Sequence, residues 1–294
     1  MITHTLAVDG GGTKTAMRLK QISTTPSVIQ ERTLAATSLT LYGEAAIIQL
    51  THYIEEMLSV NQIKAKQCYI VVGVAGAGNS HLKAKLKSAL AHCPHLYVTT
   101  DAEASVFGAN AGQGVNCIAI GTGSVAIQLD NQHVTHQFGG WGFPIGDQGG
   151  GAWLGFRAVQ QTLAEFDDKR SSLTNLLVMN KIGSERSDIL KWLNTANATD
   201  YAQFARELVD IEQRCSTAST ILKQGIEEIE KLTRTCSENN SLPIMFLGSL
   251  GQFYRSKLSQ GLQARALDIQ GNAQDGAEVI AHQKIHMLNL GNEQ

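Results

Sequence analysis

Apolar and polar residues alternate in short runs over the first hundred positions, at Leu6 to Val8, Thr15 to Lys20, Val28 to Leu34, Cys68 to Val74 and Leu96 to Thr99. A period of two is the mark of strands. Between these runs, Glu44 to Leu58 and Leu82 to Leu90 carry apolar residues at helical spacing. A ββα-β-α order of this kind predicts a mixed sheet covered by helices.

The pattern then restarts. IAIGTGSVAIQL, with strands expected at Ile118 to Gly121 and Val125 to Leu129, echoes LAVDGGGTKTAMRL about 110 residues earlier. His133 to Gln137 continues the second unit after a hairpin at Asp130-Asn131. Later segments are richer in helix: Gly151 to Phe166, Ile189 to Leu193, a long stretch from Phe204 to Leu232, and helices from Gln252 and Gly276. One buried strand is expected at Leu242 to Gly248. The chain divides near residue 104 into an N-terminal domain, 1–104, and a C-terminal domain, 105–276, with the last helix, within 277–294, packing back on the first domain.

Composition narrows the classes of function. With 24 basic against 26 acidic side chains, the 294 residues carry no field to recruit nucleic acid or membrane. Small molecules are the expected partners, with room for a homodimer. Five scattered cysteines, with no CxxC pair, read as reduced thiols in a cytoplasmic protein. No basic leader or bilayer-length apolar run is present.

The chemistry concentrates at the glycine turns. Asp9 ends a strand and is followed by Gly10, Gly11, Gly12 and Thr13. Residues without a Cβ let backbone N–H groups approach an oxyanion closely, and Thr13 adds a hydroxyl donor. A plain β-turn needs fewer glycines. GTGSVA at 121–126 matches the dinucleotide pattern GxGxxA, but a β-alternating segment follows it where that fold requires a helix. No GxxxxGK[ST] is present. Two glycine hairpins from two similar domains suggest instead a nucleotide in an interdomain cleft, its phosphates held by both.

DGGGTKT, TTDAEAS at 99–105, GTGS at 121, GGWGFPIGDQGGG at 139 and IMFLGSLG at 244–251 stand in the order found in the sugar kinase, Hsp70 and actin superfamily. Within it the chain resembles the BadF/BcrA and N-acetylglucosamine kinase group, most of all the bacterial glucosamine kinases. The resemblance implies an α/β fold of two RNase H-like, actin-like ATPase domains with mixed sheets flanked by helices. It implies ATP and Mg²⁺ as cofactors and an amino sugar as phosphoryl acceptor. Asp9 would hold the metal and Asp101 would be the catalytic base; an N-cap role for Asp101 at a helix from Ala102 stays open beside it. Gly11, Gly12, Thr13, Lys14, Gly121, Thr122, Gly123, Ser124, Gly248 and Ser249 would bind nucleotide. Ser38, Gly76, Asp101, Gly140, Trp141 and Asp147 would line the sugar site, with Trp141 packing its turn and Asp147 accepting from ring hydroxyls. The helix from Ala152 would lend its N-terminus to phosphate.

One departure bears on substrate. Acetamido-sugar kinases of this group carry an Asn and, two residues on, a bulky aromatic after the third strand; here Ser38 and Thr40 occupy those positions. Less apolar wall for an acetyl methyl favours free glucosamine over N-acetylglucosamine. An ATP-driven dehydratase activator is the other expectation within the group; it needs cysteines that hold an iron-sulfur cluster between two copies. The 208–232 stretch, with its Glu and Lys residues, reads as a solvated helix face.

Overall fold

The computed structural model describes residues 1–23 and 27–291. Two compact units are formed: Met1–Gly114 with Leu129–Val134 and the chain from Ile269, and Val115–Gln128 with Thr135–Asp268. Among the described residues no helix is long and apolar enough to cross a membrane.

The first unit is built on five strands in the order β3-β2-β1-β4-β5. They are β1 (His4–Gly10), β2 (Thr15–Gln21), β3 (Ser27–Leu34), β4 (Cys68–Val74) and β5 (Leu96–Thr99). β1 runs antiparallel to β2 and parallel to β4, and β4 runs parallel to β5. β4 is buried along its whole length, which is why CYIVVGV reads as one apolar run, whereas β3 is a largely exposed edge. Helix Glu44–Val60 buries Ala46, Ile47, Leu50, Ile54 and Met57, the i, i+3, i+4 stripe of its sequence.

The expected boundary near 104 falls inside helix Asp101–Ala109, and the units part instead between Gly114 and Val115. The cause is close packing between that helix and the C-terminal one, Ala273–Gly291. A Cβ at Gly108 would collide with the Asn272 carbonyl, and one at Gly276 with the Ala104 carbonyl. Salt bridges from Arg18 to Asp275 and from Lys20 to Glu278, each at 2.5 Å, tie the same C-terminal helix to β2. Residues 292–294 of the segment expected to pack there lie outside the described residues. The 129–134 turn also belongs to this unit, where the His133 ring stacks on Phe107 at 6.3 Å.

The second unit has the sheet order β8-β7-β6-β9, with β6 (Val115–Ile120), β7 (Ser124–Leu129), β8 (Thr135–Gly139) and β9 (Ile244–Leu247). β8 starts later than expected because the Asp130 carboxylate accepts from the N–H groups of Gln132 and Val134 and widens the turn. The long helix expected from Phe204 is broken into Ala205–Asp210, a 3₁₀ turn at Glu212–Arg214 and Ser216–Ser237. Apolar spacing runs through the break, but Cys215 is extended (φ −139°, ψ 113°) and restarts the helix. Helices Leu173–Ile182 and Ala198–Ala202 had no counterpart in the sequence reading.

Replacing Gly276 with Ala is expected to lower the urea midpoint by the equivalent of about 1–3 kcal/mol, since the added methyl must displace helix backbone. Gly78→Ala, where a Cβ meets nothing within 4 Å, serves as the control and should change stability far less.

Candidate functional site

In the first unit the parallel register sets Asp9 beside Gly73 and Gly73 beside Thr99. Asp9, the Val74 to Gly78 turn and Asp101 therefore gather at the carboxyl ends of adjacent strands, where open α/β sheets bind ligands. Thr100, not Asp101, caps the following helix: its hydroxyl accepts from the Glu103 N–H at 3.0 Å. That leaves the Asp101 carboxylate at the first helical position, partly exposed. Burial pushes Asp101 above the ordinary carboxylate range, and N–H groups at its own helix end oppose that. Burial and then the charge of Asp101 push Asp9 upward too, with the Lys14 ammonium pulling the other way. Two acids thus share a partly dehydrated place with one nearby lysine.

The turn after Asp9 closes with Gly11 N–H on the Lys14 carbonyl at 3.0 Å. A Cβ on Gly10 would stand 2.8 Å from the Thr37 hydroxyl. Ser38 is 2% exposed, and its hydroxyl caps helix Leu39–Tyr42 through the Leu41 N–H. Gly76 (φ +91°) presses on the same turn, where a Cβ would lie 2.5 Å from the Thr40 nitrogen. Both residues build the turn; Thr40 is the exposed one.

In the second unit Gly121 N–H closes its turn on the Gly123 carbonyl, again at 3.0 Å. The carbonyls of Gly121 and Thr122 accept from the N–H groups of Gly151 and Ala152, each at 2.8 Å. The first two N–H groups of helix Gly151–Asp167 are therefore spent on the turn. Ser124 is also occupied: its hydroxyl donates to the Gln148 carbonyl at 2.8 Å. What both turns leave free is backbone. Among the described residues, the N–H groups of Gly12, Thr13, Thr122 and Gly123 meet no protein acceptor.

The loop from Gly139 to Gly150 is folded on Asp147, whose carboxylate accepts from the Gly142 N–H at 3.1 Å and whose backbone is left-handed at φ +63°. Tyr254 donates to the Gly149 carbonyl at 2.5 Å, in space left by Gly225. Trp141 does not pack this turn; it is 86% exposed. Gly140 and Trp141 border a cavity of about 430 Å³ with Asp147 and, from helix Ser216–Ser237, Glu228 and Lys231. That helix face was expected to be merely solvated.

A second cavity, of about 720 Å³, brings together Gly121, Thr122, Gly151 and Ser249. Gly248 (φ +84°) enables the turn, since a Cβ there would strike the Ile120 carbonyl. Arg206, Asp210 and Phe253 complete the wall and escaped sequence reasoning. Thr199, Gln203, Arg206 and Asp210, all lining residues, fall at steps of 4, 3 and 4, a one-face signature that could have found them.

The chain is 28% identical to the glucosamine kinase GspK of Vibrio cholerae over 98% of both chains. To an N-acetylmuramic acid/N-acetylglucosamine kinase of Clostridium acetobutylicum it is 26% identical, over 68% of this chain and 63% of the relative. A solved Chromobacterium violaceum protein, described provisionally as an N-acetylglucosamine kinase, superposes with a TM-score of 0.82 at 27% identity, covering 95% of this chain and 99% of that one. The two sheets flanked by helices are those of the actin-like ATPase fold found in these sugar kinases. Residues 6–274 match one family along nearly the whole chain, and the protein belongs to it: the BadF/BadG/BcrA/BcrD ATPase family.

Proposed function

We propose that this protein is an ATP-dependent amino-sugar kinase that transfers the γ-phosphoryl group to the 6-hydroxyl of glucosamine. The observation that carries the reading is the shared design of the two glycine turns. In each, the first N–H closes the turn and later ones, Gly12 and Thr13 or Thr122 and Gly123, are left for an external acceptor. Outward amides in a glycine turn suit phosphate oxygens. The 720 Å³ cavity beside Thr122, with Arg206 and Phe253 in its wall, is a fitting place for the nucleoside.

The residues present fit Mg²⁺. Among the described residues no three His, Cys, Asp or Glu side chains cluster as a metal cage, and Asp9 is an acid strained by burial and by Asp101. A hard cation held by one carboxylate and by phosphate needs no such cage. When bound, it would supply charge neutralisation on the transferring phosphate. Asp101 would align the acceptor hydroxyl and take its proton; a carboxylate raised above its usual range is a better base at neutral pH. Ser38 and Thr40, in place of an Asn and an aromatic, favour the free amine, as does the relative from Vibrio cholerae.

The dehydratase-activator reading is the weaker one. Cys68, Cys93, Cys117, Cys215 and Cys236 are all buried, so no thiol is presented at the surface to share a cluster between two copies.

In a coupled ADP-release assay, glucosamine should raise turnover well above the sugar-free background and above N-acetylglucosamine and glucose; equal rates with and without every hexose would reject the kinase reading. Asp101→Asn should lower kcat by about 10²–10⁴-fold while ATP affinity stays near wild type. Equal losses of both would make Asp101 structural. The raised carboxyls also predict a stability effect. A folded pKa above the unfolded value, ~3.9, means stability is lost as pH rises through the folded value and the cost persists at neutral pH. Asp9→Asn should therefore raise the melting temperature of the ligand-free protein at neutral pH, with the gain vanishing under acid conditions. Saturating Mg-ATP should stabilise wild type more than the variant.

A further inference from the structure

The cavity of about 430 Å³ in the second unit lies within the size range of small-molecule sites, ~300–1,000 Å³. Its charged lining is Asp147 on the glycine loop, with Glu228 and Lys231 on helix Ser216–Ser237. Two acids and one base leave a net charge of −1, which a monocation would balance. The two acids are not equivalent. Asp147 is fixed by its bond from Gly142 N–H and by its left-handed backbone. Glu228 is half-buried and, among the described residues, enters no ion pair or hydrogen bond, not even with Lys231 one helical turn on.

Leaving a partly dehydrated carboxylate without a partner costs solvation, and a bound cation returns it. Glu230, two residues along the same helix, shows the ordinary arrangement: Arg234 pairs with it at 2.5 Å and the Ser259 N–H donates to it at 3.0 Å. At the cavity edge Trp141 presents an indole that is 86% exposed, a surface suited to the C–H face of a sugar ring or to a cation.

We propose that Glu228 selects the free-amine form of the sugar. Its carboxylate takes the 2-ammonium group, while Asp147 takes ring hydroxyls and Trp141 covers the ring. An N-acetylated amine is neutral and would leave Glu228 desolvated and unpaired, which is rejection as well as lost attraction. The inference rests on the amino-sugar reading above and adds to it the residue that discriminates.

Calorimetric titration of wild type, Glu228→Gln and Glu228→Asp with glucosamine and with glucose tests it, beside ADP release from the same samples. Glu228→Gln should weaken glucosamine binding about 10–100-fold and glucose binding less than about two-fold, with Glu228→Asp in between. Melting temperatures close to wild type would confirm that the variants fold. Wild type should lose its preference for glucosamine as pH rises through the sugar's own amine titration, and Glu228→Gln should have no such dependence. Equal losses for both sugars, no loss at all, or no binding of glucosamine by wild type would overturn the assignment. If binding depends on Glu228 but no phosphoryl transfer occurs, the kinase reading falls and the site stands. If transfer to glucosamine proceeds equally well in Glu228→Gln, the kinase reading stands and the site falls.

Discussion

The geometry of the second unit hangs on two hydrogen bonds, from the N–H groups of Gly151 and Ala152 to the carbonyls of Gly121 and Thr122. They turn the carbonyl edge of the glycine loop toward the helix, and so turn its amide edge outward. On the proposed reading the helix would act on phosphate in part indirectly, by fixing the peptide groups that would touch it. Contact this close excludes side chains: a Cβ at Gly150 would lie 2.6 Å from the Gly123 carbonyl carbon, and Gly123 faces the Asp147 carboxylate. Ser124 and Tyr254, bonded to the carbonyls of Gln148 and Gly149, hold the other side of the loop. The glycines of GTGS and of DQGGG are thus one constraint seen from two places in the chain.

The first unit reaches a similar turn by another route. Backbone bonds link Ala75 N–H to Gly10 and Leu39 N–H to Ala75, so consecutive strand ends are laced together without a helix terminus. The threonine hydroxyls of Thr15 and Thr37, 2.7 Å apart, fill the space behind Gly10. Because the lacing uses backbone, the Asp9 side chain takes no part in it, and the Asp101 carboxylate meets only N–H groups at its own helix end. Their raised proton affinity comes from burial, with the charge of Asp101 added at Asp9.

Strand and helix periods were legible where one face is buried, and the glycine motifs marked the turns correctly because positive φ and close approach leave few alternatives to glycine. What the sequence hid was partnership. Ser38 and Ser124 carry hydroxyls in the right motifs, yet one caps a helix and the other ties down Gln148. Trp141 looked like a packing residue because large aromatics usually are, but its ring is exposed, and only its Cβ lies against the loop, where a Cβ added at Gly146 would come within 2.8 Å of it. The break at Cys215 left no trace in apolar spacing, since the residues on both sides still face the core. Glu228 lay in the 208–232 stretch, whose charges looked like an ordinary wet surface, and Arg206, just before it, belonged to no motif.

Two kinds of acid stand out in this protein. Burial opposes the charge of Glu278, Asp275 and Glu230, but Lys20 at Glu278, Arg18 at Asp275, and Arg234 and Ser259 at Glu230 outweigh it and hold these carboxyls below their ordinary values. Each is a strut whose charge is already satisfied. Asp9 and Asp101 lie on the other side of the balance, raised by burial with too little to offset it. Folding gains nothing from keeping such groups acidic, because an amide of the same size would avoid the cost. On the proposed reading the missing partner would arrive with a ligand: a magnesium-bound triphosphate for Asp9 and an acceptor hydroxyl for Asp101 are partners of the right chemistry.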